Sequence, residues 1–261
     1  MLRFQLAVGC ALLIAQLGCG AQETAEDSPS AADQTTAAAE TKPDQASPNQ
    51  GSGMLRHAVF FSFKKSSSES DIQGVVDAFA ALPEKIDSII GFQHGVNNSP
   101  EGLDDGFTHC FLLTFADEAG RAEYLPHPAH KAFGDVLRPH MKSVFVVDYW
   151  GDPKQPKVEK PLQHAVFFQF KEDADPAQVQ KVEQAFAALP SKIDTIRAFE
   201  WGINNSPEKH DAGFTHCFLV TFDSEAGRQA YLPHPAHQAF VDVLKPVLEK
   251  VRVLDFWASS P

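Results

Sequence analysis

The sequence predicts an α+β protein: two ferredoxin-like βαββαβ repeats packed sheet to sheet, an intramolecular pseudo-dimeric α/β barrel. Three observations lead there. The segment from His57 to Trp150 recurs without insertion or deletion from His164 to Trp257, an offset of 107 residues (57 to 164), which marks two copies of one structural unit. In each copy the apolar spacing alternates between the period of a strand and that of a helix, in the order strand, helix, strand, strand, helix, strand. The opening strand is apolar on both faces. Helices can cover one side of such a sheet, and the neighbouring repeat is left to cover the other across a pseudo-twofold axis.

After His57, Val59, Phe61 and Phe63 alternate on one face of the first strand, with Ala58 and Phe60 on the other. The next element is helical. In repeat two Asp175 stands as N-cap and Pro176 at the first helical position, where a missing N–H is harmless. Val179, Val182, Phe186 and Leu189 follow at helical spacing, as do Ile72, Val75, Phe79 and Leu82 in repeat one, and Pro83 and Pro190 end the run. Phe92–Val96 and Phe107–Phe115 read as strands. Between them, Asn97-Asn98-Ser99-Pro100 and its copy at 204–207 read as turns held by side-chain-to-backbone hydrogen bonds. A helix after Asp117 is interrupted by Pro126 and Pro128, a second helical piece extends through about 136–141, and 144–150 closes the unit. The domain plan is repeat one over 54–150, a proline-rich linker over 151–161 and repeat two over 162–261.

Residues 1–18 carry an early cation, Arg3, then an apolar run broken by Gln16, and lead to Gly18-Cys19. That is the layout of a bacterial lipoprotein signal peptide, too short to stay as a spanning helix. Gly18 suits cleavage, and Cys19 is the expected lipidation site. Gln16 stands where an aliphatic residue is usual, which leaves an ordinary secretory signal as the other reading. Residues 19–53 contain no aromatic side chain and are expected to form a disordered acidic tether, with little apolar surface to offset chain entropy. The protein is therefore expected to be exported and anchored to the membrane of a bacterial cell envelope. A net charge of −12 with no basic stripe argues against nucleic acid as a partner. Cys110 and Cys217 occupy equivalent strands and read as buried apolar thiols, with a disulfide between them as the alternative.

Several motifs are kept in both repeats. HAVFF stands at 57–61 and 164–168, NNSPE at 97–101 and 204–208, GFTHCFL at 106–112 and 213–219, and YLPHPAH at 124–130 and 231–237. With a closing Asp148-Tyr149-Trp150, this set resembles the stress-responsive α/β-barrel (Dabb) family over nearly all of both repeats. The resemblance implies small ferredoxin-like units that pair into a barrel. Through the plant olivetolic acid cyclases it also implies acid–base work by a tyrosine and a histidine in an apolar pocket, without a cofactor. The matching pairs are Tyr124 with His130 and Tyr231 with His237; His57, His109, His164 and His216 match the supporting histidines. Phe61, Phe63, Phe111 and Phe115 share strand parity with the histidines of repeat one and form an expected apolar wall, as do Phe168 and Phe170 in repeat two.

The chemistry is coherent on physical grounds. His130 falls in the first turn of a helix, where the positive end of the dipole disfavours imidazolium and keeps the ring able to accept a proton. A neighbouring Tyr124 hydroxyl would stabilise a developing enolate oxygen, as an enolisation or aldol-type condensation requires. Each residue also has a structural reading. His130 and His237 could cap or fill space, His127 and His234 shape a turn between prolines, and His57 and His164 close the barrel end. Antiparallel pairing of the first and third strands places His57 and His109 toward opposite ends of the sheet. His127 and His130 have no carboxylate at ligand spacing, so no metal is expected, and no Ser or Cys stands in a nucleophile elbow. Two functions follow: a binder of a small hydrophobic molecule with cyclase- or lyase-like His/Tyr chemistry, or a non-catalytic stress-response or structural barrel.

Overall fold

The structure, a computed structural model, describes residues 48–261. The signal peptide, Cys19 and the tether as far as residue 47 lie outside the described residues. Repeat one comprises β1 (Met54–Phe63), α1 (Glu69–Ala80), β2 (Gly91–Val96), β3 (His109–Phe115), α2 (Glu118–Tyr124), α3 (Pro128–Leu137) and β4 (Met141–Gly151). Repeat two repeats the order with β5 (Leu162–Phe170), α4 (Pro176–Ala187), β6 (Ala198–Ile203), β7 (His216–Phe222), α5 (Glu225–Tyr231), α6 (Pro235–Leu244) and β8 (Leu248–Trp257). Each repeat is one antiparallel sheet, ordered β2-β3-β1-β4 and β6-β7-β5-β8.

Local chemistry sets the element ends. Ser68 and Asp71 form a reciprocal capping box at α1, and Asp175 caps α4 ahead of Pro176. His127 and His234 cap α3 and α6, each ring Nδ1 accepting the N–H of the alanine two residues on. The turn-forming role of these histidines is thus a helix start. β3 begins at His109 and not at Phe107, because Asp104 draws the N–H groups of Gly106 and Phe107 into a turn whose Gly106 has φ of 80°. Residues 48–53, assigned to the tether, instead form a turn in which the Asn49 carbonyl accepts from Ser52 and Gly53.

Alternate side chains of each sheet serve different cores. Val59, Phe61, Phe111 and Phe115 pack under α1 and α3 against Val75, Phe79, Phe133 and Leu137. The opposite parity, Ala58, Phe60, Cys110, Leu112 and Phe145, meets Ala165, Phe167, Cys217 and Leu219 of repeat two in a layer between the sheets. Cys110 and Cys217 are both free and buried in that layer. It also holds a cation: the Arg252 guanidinium lies 4.2 Å from the Phe145 ring centroid, between Phe107 and Phe214, and pairs with Asp105 at 2.6 Å.

The repeats also exchange loops. The backbone N–H of Asn205 donates to the Asp148 carbonyl and that of Val146 to the His210 carbonyl. Their counterparts run from Asn98 to Asp255 and from Val253 to Leu103. The loop after β2 therefore extends β8, and the loop after β6 extends β4, which closes the barrel with backbone hydrogen bonds that would otherwise be exposed edges.

Candidate functional site

A cavity of about 510 Å³ lies between the sheet and α3 of repeat one. β1 lines it with His57, Val59 and Phe61, α1 with Phe79, α3 with His130, Phe133, Gly134 and Leu137, and β4 with Val144 and Val146. Tyr124, the last residue of α2, stands at its wall, and Glu208 and His210 reach it from the exchanged loop of repeat two.

The break at Pro126 and Pro128 brings the tyrosine and histidine together. It turns the chain between α2 and α3 so that the rings of Tyr124 and His130 stack with centroids 4.2 Å apart. His130 Nδ1 lies 3.1 Å from the Leu125 carbonyl. A carbonyl only accepts, so Nδ1 carries the hydrogen and Nε2 is left with the lone pair. Burial lowers the His130 pKa below 6.5, against weaker upward pulls from the Leu125 carbonyl and Glu208. Burial, and not the helix start, is the largest cause that disfavours the imidazolium. Burial pushes the Tyr124 phenol well above 10, and the charges of Glu208 and Asp148 add to the shift. Tyr124 is a donor at neutral pH, and no tyrosinate forms.

His57 belongs to a polar cluster. Its Nδ1 donates to Asp148 at 2.7 Å, and the other Asp148 oxygen accepts from Arg121 at 2.7 Å. Arg121 also donates to the backbone and side-chain oxygens of Asn205, at 3.2 and 2.7 Å. Burial opposes the His57 imidazolium, but the charge and hydrogen bond of Asp148 outweigh it, and the pKa rises above 6.5. His57 Nε2 is 3.8 Å from a Glu208 oxygen. Repeat two has the same cluster in His164, Asp255, Arg228 and Asn98. In an NMR titration of the histidine ring carbons, His130 and His237 are expected to titrate below pH 6.5 and His57 and His164 above it. A His57 midpoint under 6.5 would contradict its pairing with Asp148.

The sequence-derived residues divide between two places. Tyr124, His130, His57 and Phe61 converge on the cavity, and Tyr231 packs against His237 with tilted rings and centroids 4.3 Å apart in repeat two, with Phe168 in the adjoining core. His109 and Phe63 do not join the first group. β1 pairs Phe61 with His109 but His57 with Leu113, so His109 sits four residues along the strand, roughly 13 Å away at 3.3 Å per residue. There it contacts Phe63 edge-on at 5.0 Å and Thr108 at 2.9 Å. His216 and Phe170 likewise form their own contact, with Glu183 on the imidazole. Among the described residues no cluster of three or more His, Cys, Asp or Glu is placed to hold a metal ion. Sequence reasoning missed Glu208, Asn205, Arg121 and Asp148 as parts of the site. The signal was the retention in both repeats of NNSPE, of EAGR at 118–121 and 225–228, and of the aspartate at 148 and 255.

Residues 55–151 and 162–258 each match the family model described as the stress responsive A/B barrel domain. The chain belongs to this family. It is 33% identical over 100 residues to stress-response A/B barrel domain-containing protein HS1 of Arabidopsis thaliana, a match covering 38% of this chain and 92% of that protein. It is 30% identical over 95 residues to olivetolic acid cyclase of Cannabis sativa, covering 36% of this chain and 94% of the cyclase. One repeat of this A/B barrel protein is thus equivalent to nearly a whole plant relative. Across both repeats the structure resembles an anthrone oxidase-like protein with a TM-score of 0.53, 13% identity, and coverage of 79% of this chain and 92% of that one. At that identity the likeness concerns the fold alone.

Proposed function

We propose that this A/B barrel protein is anchored to a bacterial envelope through Cys19, binds a small hydrophobic molecule in the cavity beside α3, and moves a proton on it without a cofactor. One observation carries the reading. The Tyr124 hydroxyl and a Glu208 carboxylate oxygen are buried at the polar end of an apolar cavity, and neither has a protein hydrogen-bond partner. Buried polar groups are normally paired, and a ligand hydroxyl placed there satisfies both, accepting from Tyr124 and donating to Glu208, whereas a carbonyl accepts from Tyr124 alone. The remaining wall of Val59, Phe61, Phe79, Phe133 and Leu137 suits an alkyl or aryl body.

The chemistry that fits is proton abstraction beside a carbonyl. His130 Nε2 takes the proton from carbon, the C–H electron pair moves to oxygen as an enolate, and the Tyr124 O–H donates to that oxygen. The proton then returns from His130 to a carbon or a leaving group. Similarity to olivetolic acid cyclase supports cyclase-like chemistry of this kind. The envelope assignment rests on the 1–18 segment and Gly18-Cys19.

Deuterium exchange at the carbon beside the carbonyl of hexanophenone, followed by NMR in D2O, tests the chemical step. The protein is expected to accelerate exchange, with Tyr124→Phe slowing it by about 10²–10³ and His130→Ala by about 10²–10⁴. No acceleration by the protein, or rates in both variants unchanged from the unmodified protein, would remove the catalytic reading and leave a binding or structural barrel. The engagement of His57 with Asp148 in barrel closure favours that second reading. For the anchor, intact mass of the membrane-extracted protein should include acyl chains that Cys19→Ser abolishes; an unacylated mature chain would point to an ordinary secretory signal.

A further inference from the structure

We infer that the repeats have divided their labour: repeat one holds the ligand, while repeat two is a filled partner that lends Glu208 to it. The inference rests on the ligand-binding reading above and adds a stoichiometry, one molecule per chain, and the residue that sets it. Both repeats keep the tyrosine, the histidines and the Asp–Arg cluster, so motif content alone would give two equal pockets. The difference lies one turn along the third helix of each repeat. Gly134 on α3 lines the cavity, and a Cβ built there would meet only the flexible end of Arg138, at 3.5 Å. The equivalent residue on α6 is Val241, whose side chain packs against the core that contains Phe168, Phe186 and Phe240. A second exchange works in the same direction. His140 turns toward Ser67, at 3.1 Å, whereas its counterpart Val247 is buried in the repeat-two core.

The retained motifs in repeat two have another explanation. Arg228, Asp255 and Asn98 close the barrel as Arg121, Asp148 and Asn205 do at the other end, so the retention of these three residues follows from assembly. The loop after β6 delivers Glu208 to the open cavity, with one oxygen unpartnered and 3.8 Å from His57; the matching Glu101 oxygen and the Tyr231 hydroxyl are also buried without a partner, so the repeats differ in the space beside these groups and not in the groups themselves. A carboxylate that only accepts, beside a phenol that can donate, selects a ligand head that does both. A hydroxyl on an apolar body, as in an alkylphenol or an enol, meets that requirement.

Native mass spectrometry and calorimetry with 4-hexylphenol test the division on the full mature chain. The unmodified protein is expected to bind one equivalent. Gly134→Val should weaken binding at least tenfold while keeping the fold, because valine favours a helix over glycine. Val241→Gly, or Val241→Ala if the glycine variant unfolds, should admit a second equivalent. Two equivalents in the unmodified chain, or undiminished binding by Gly134→Val, would overturn the inference. If 4-hexylphenol binds to no variant, the ligand reading falls, and xenon-pressurised crystals decide the division separately. Xenon in the repeat-one cavity alone supports it, and xenon in both repeats, in repeat two alone or in neither overturns it.

Discussion

Asp148→Ala is expected to lower the stability of the chain by about 3–5 kcal/mol in a denaturant titration, the range for breaking a buried ion pair from one side. Asp148 is fully buried and accepts from two charged or chargeable partners, His57 and Arg121, each at 2.7 Å. Removing it leaves the Arg121 guanidinium, itself buried, with the Asn205 oxygens and the exposed Glu118 carboxylate 3.8 Å away. The loss spreads because Arg121 ties α2 of repeat one to the loop of repeat two. Asp135→Ala is the control. Its partner Arg138 is exposed, so the change should stay within about 0.5 kcal/mol. The pH dependence has a defined sign. Burial opposes the Asp148 carboxylate, but His57 and Arg121 together hold its pKa below 3.8. Its stabilising contribution is therefore present above pH 3.8 and is lost as pH falls through the lower folded value, a component missing from the variant's acid unfolding curve. A loss under about 1 kcal/mol for Asp148→Ala would mean that the cluster is not held together in solution.

What the sequence made legible was whatever depends on neighbours along the chain. Strand parity in His57–Phe63 placed Phe61 and Phe60 on opposite cores, and capping chemistry located α4 at Asp175-Pro176. The antiparallel pairing of β1 and β3 foretold that His57 and His109 would part. Legibility failed where partners come from the other repeat. NNSPE read as a local turn, and it is one, since Asn204 accepts the N–H of Ser206. Yet the same segment carries Asn205 to Arg121 and Glu208 to the cavity. No spacing rule within one repeat reports a contact across a pseudo-twofold axis. Arg252 is a similar case: its pattern is that of an interior strand position, and only the aromatic rings around it and Asp105 explain how a cation is accommodated there. The contrast of Gly134 with Val241 was visible as letters, but a glycine's role as empty space appears only once the cavity beside it is known.

Phe145→Ala is expected to cost about 3–5 kcal/mol, as truncating a buried phenylalanine does when the surroundings relax incompletely, and to do so without uncoupling the repeats. The Phe145 ring is fully buried in the layer between the sheets. Its neighbours are Phe60 at 5.7 Å in its own repeat and Phe167 at 4.9 Å and Phe214 at 5.4 Å in the other, besides the Arg252 guanidinium. That layer is the core both sheets share, and neither repeat can expose it and remain folded at little cost. The exchanged loops add backbone hydrogen bonds between β4 and repeat two and between β8 and repeat one. Unfolding should accordingly stay a single transition, lowered in midpoint, with coincident curves from far-UV circular dichroism and from the fluorescence of Trp150, Trp201 and Trp257, which report on both halves. Two separated transitions, with repeat two outlasting repeat one, would show that the inter-sheet layer joins two independently stable domains and does not form the core of one barrel.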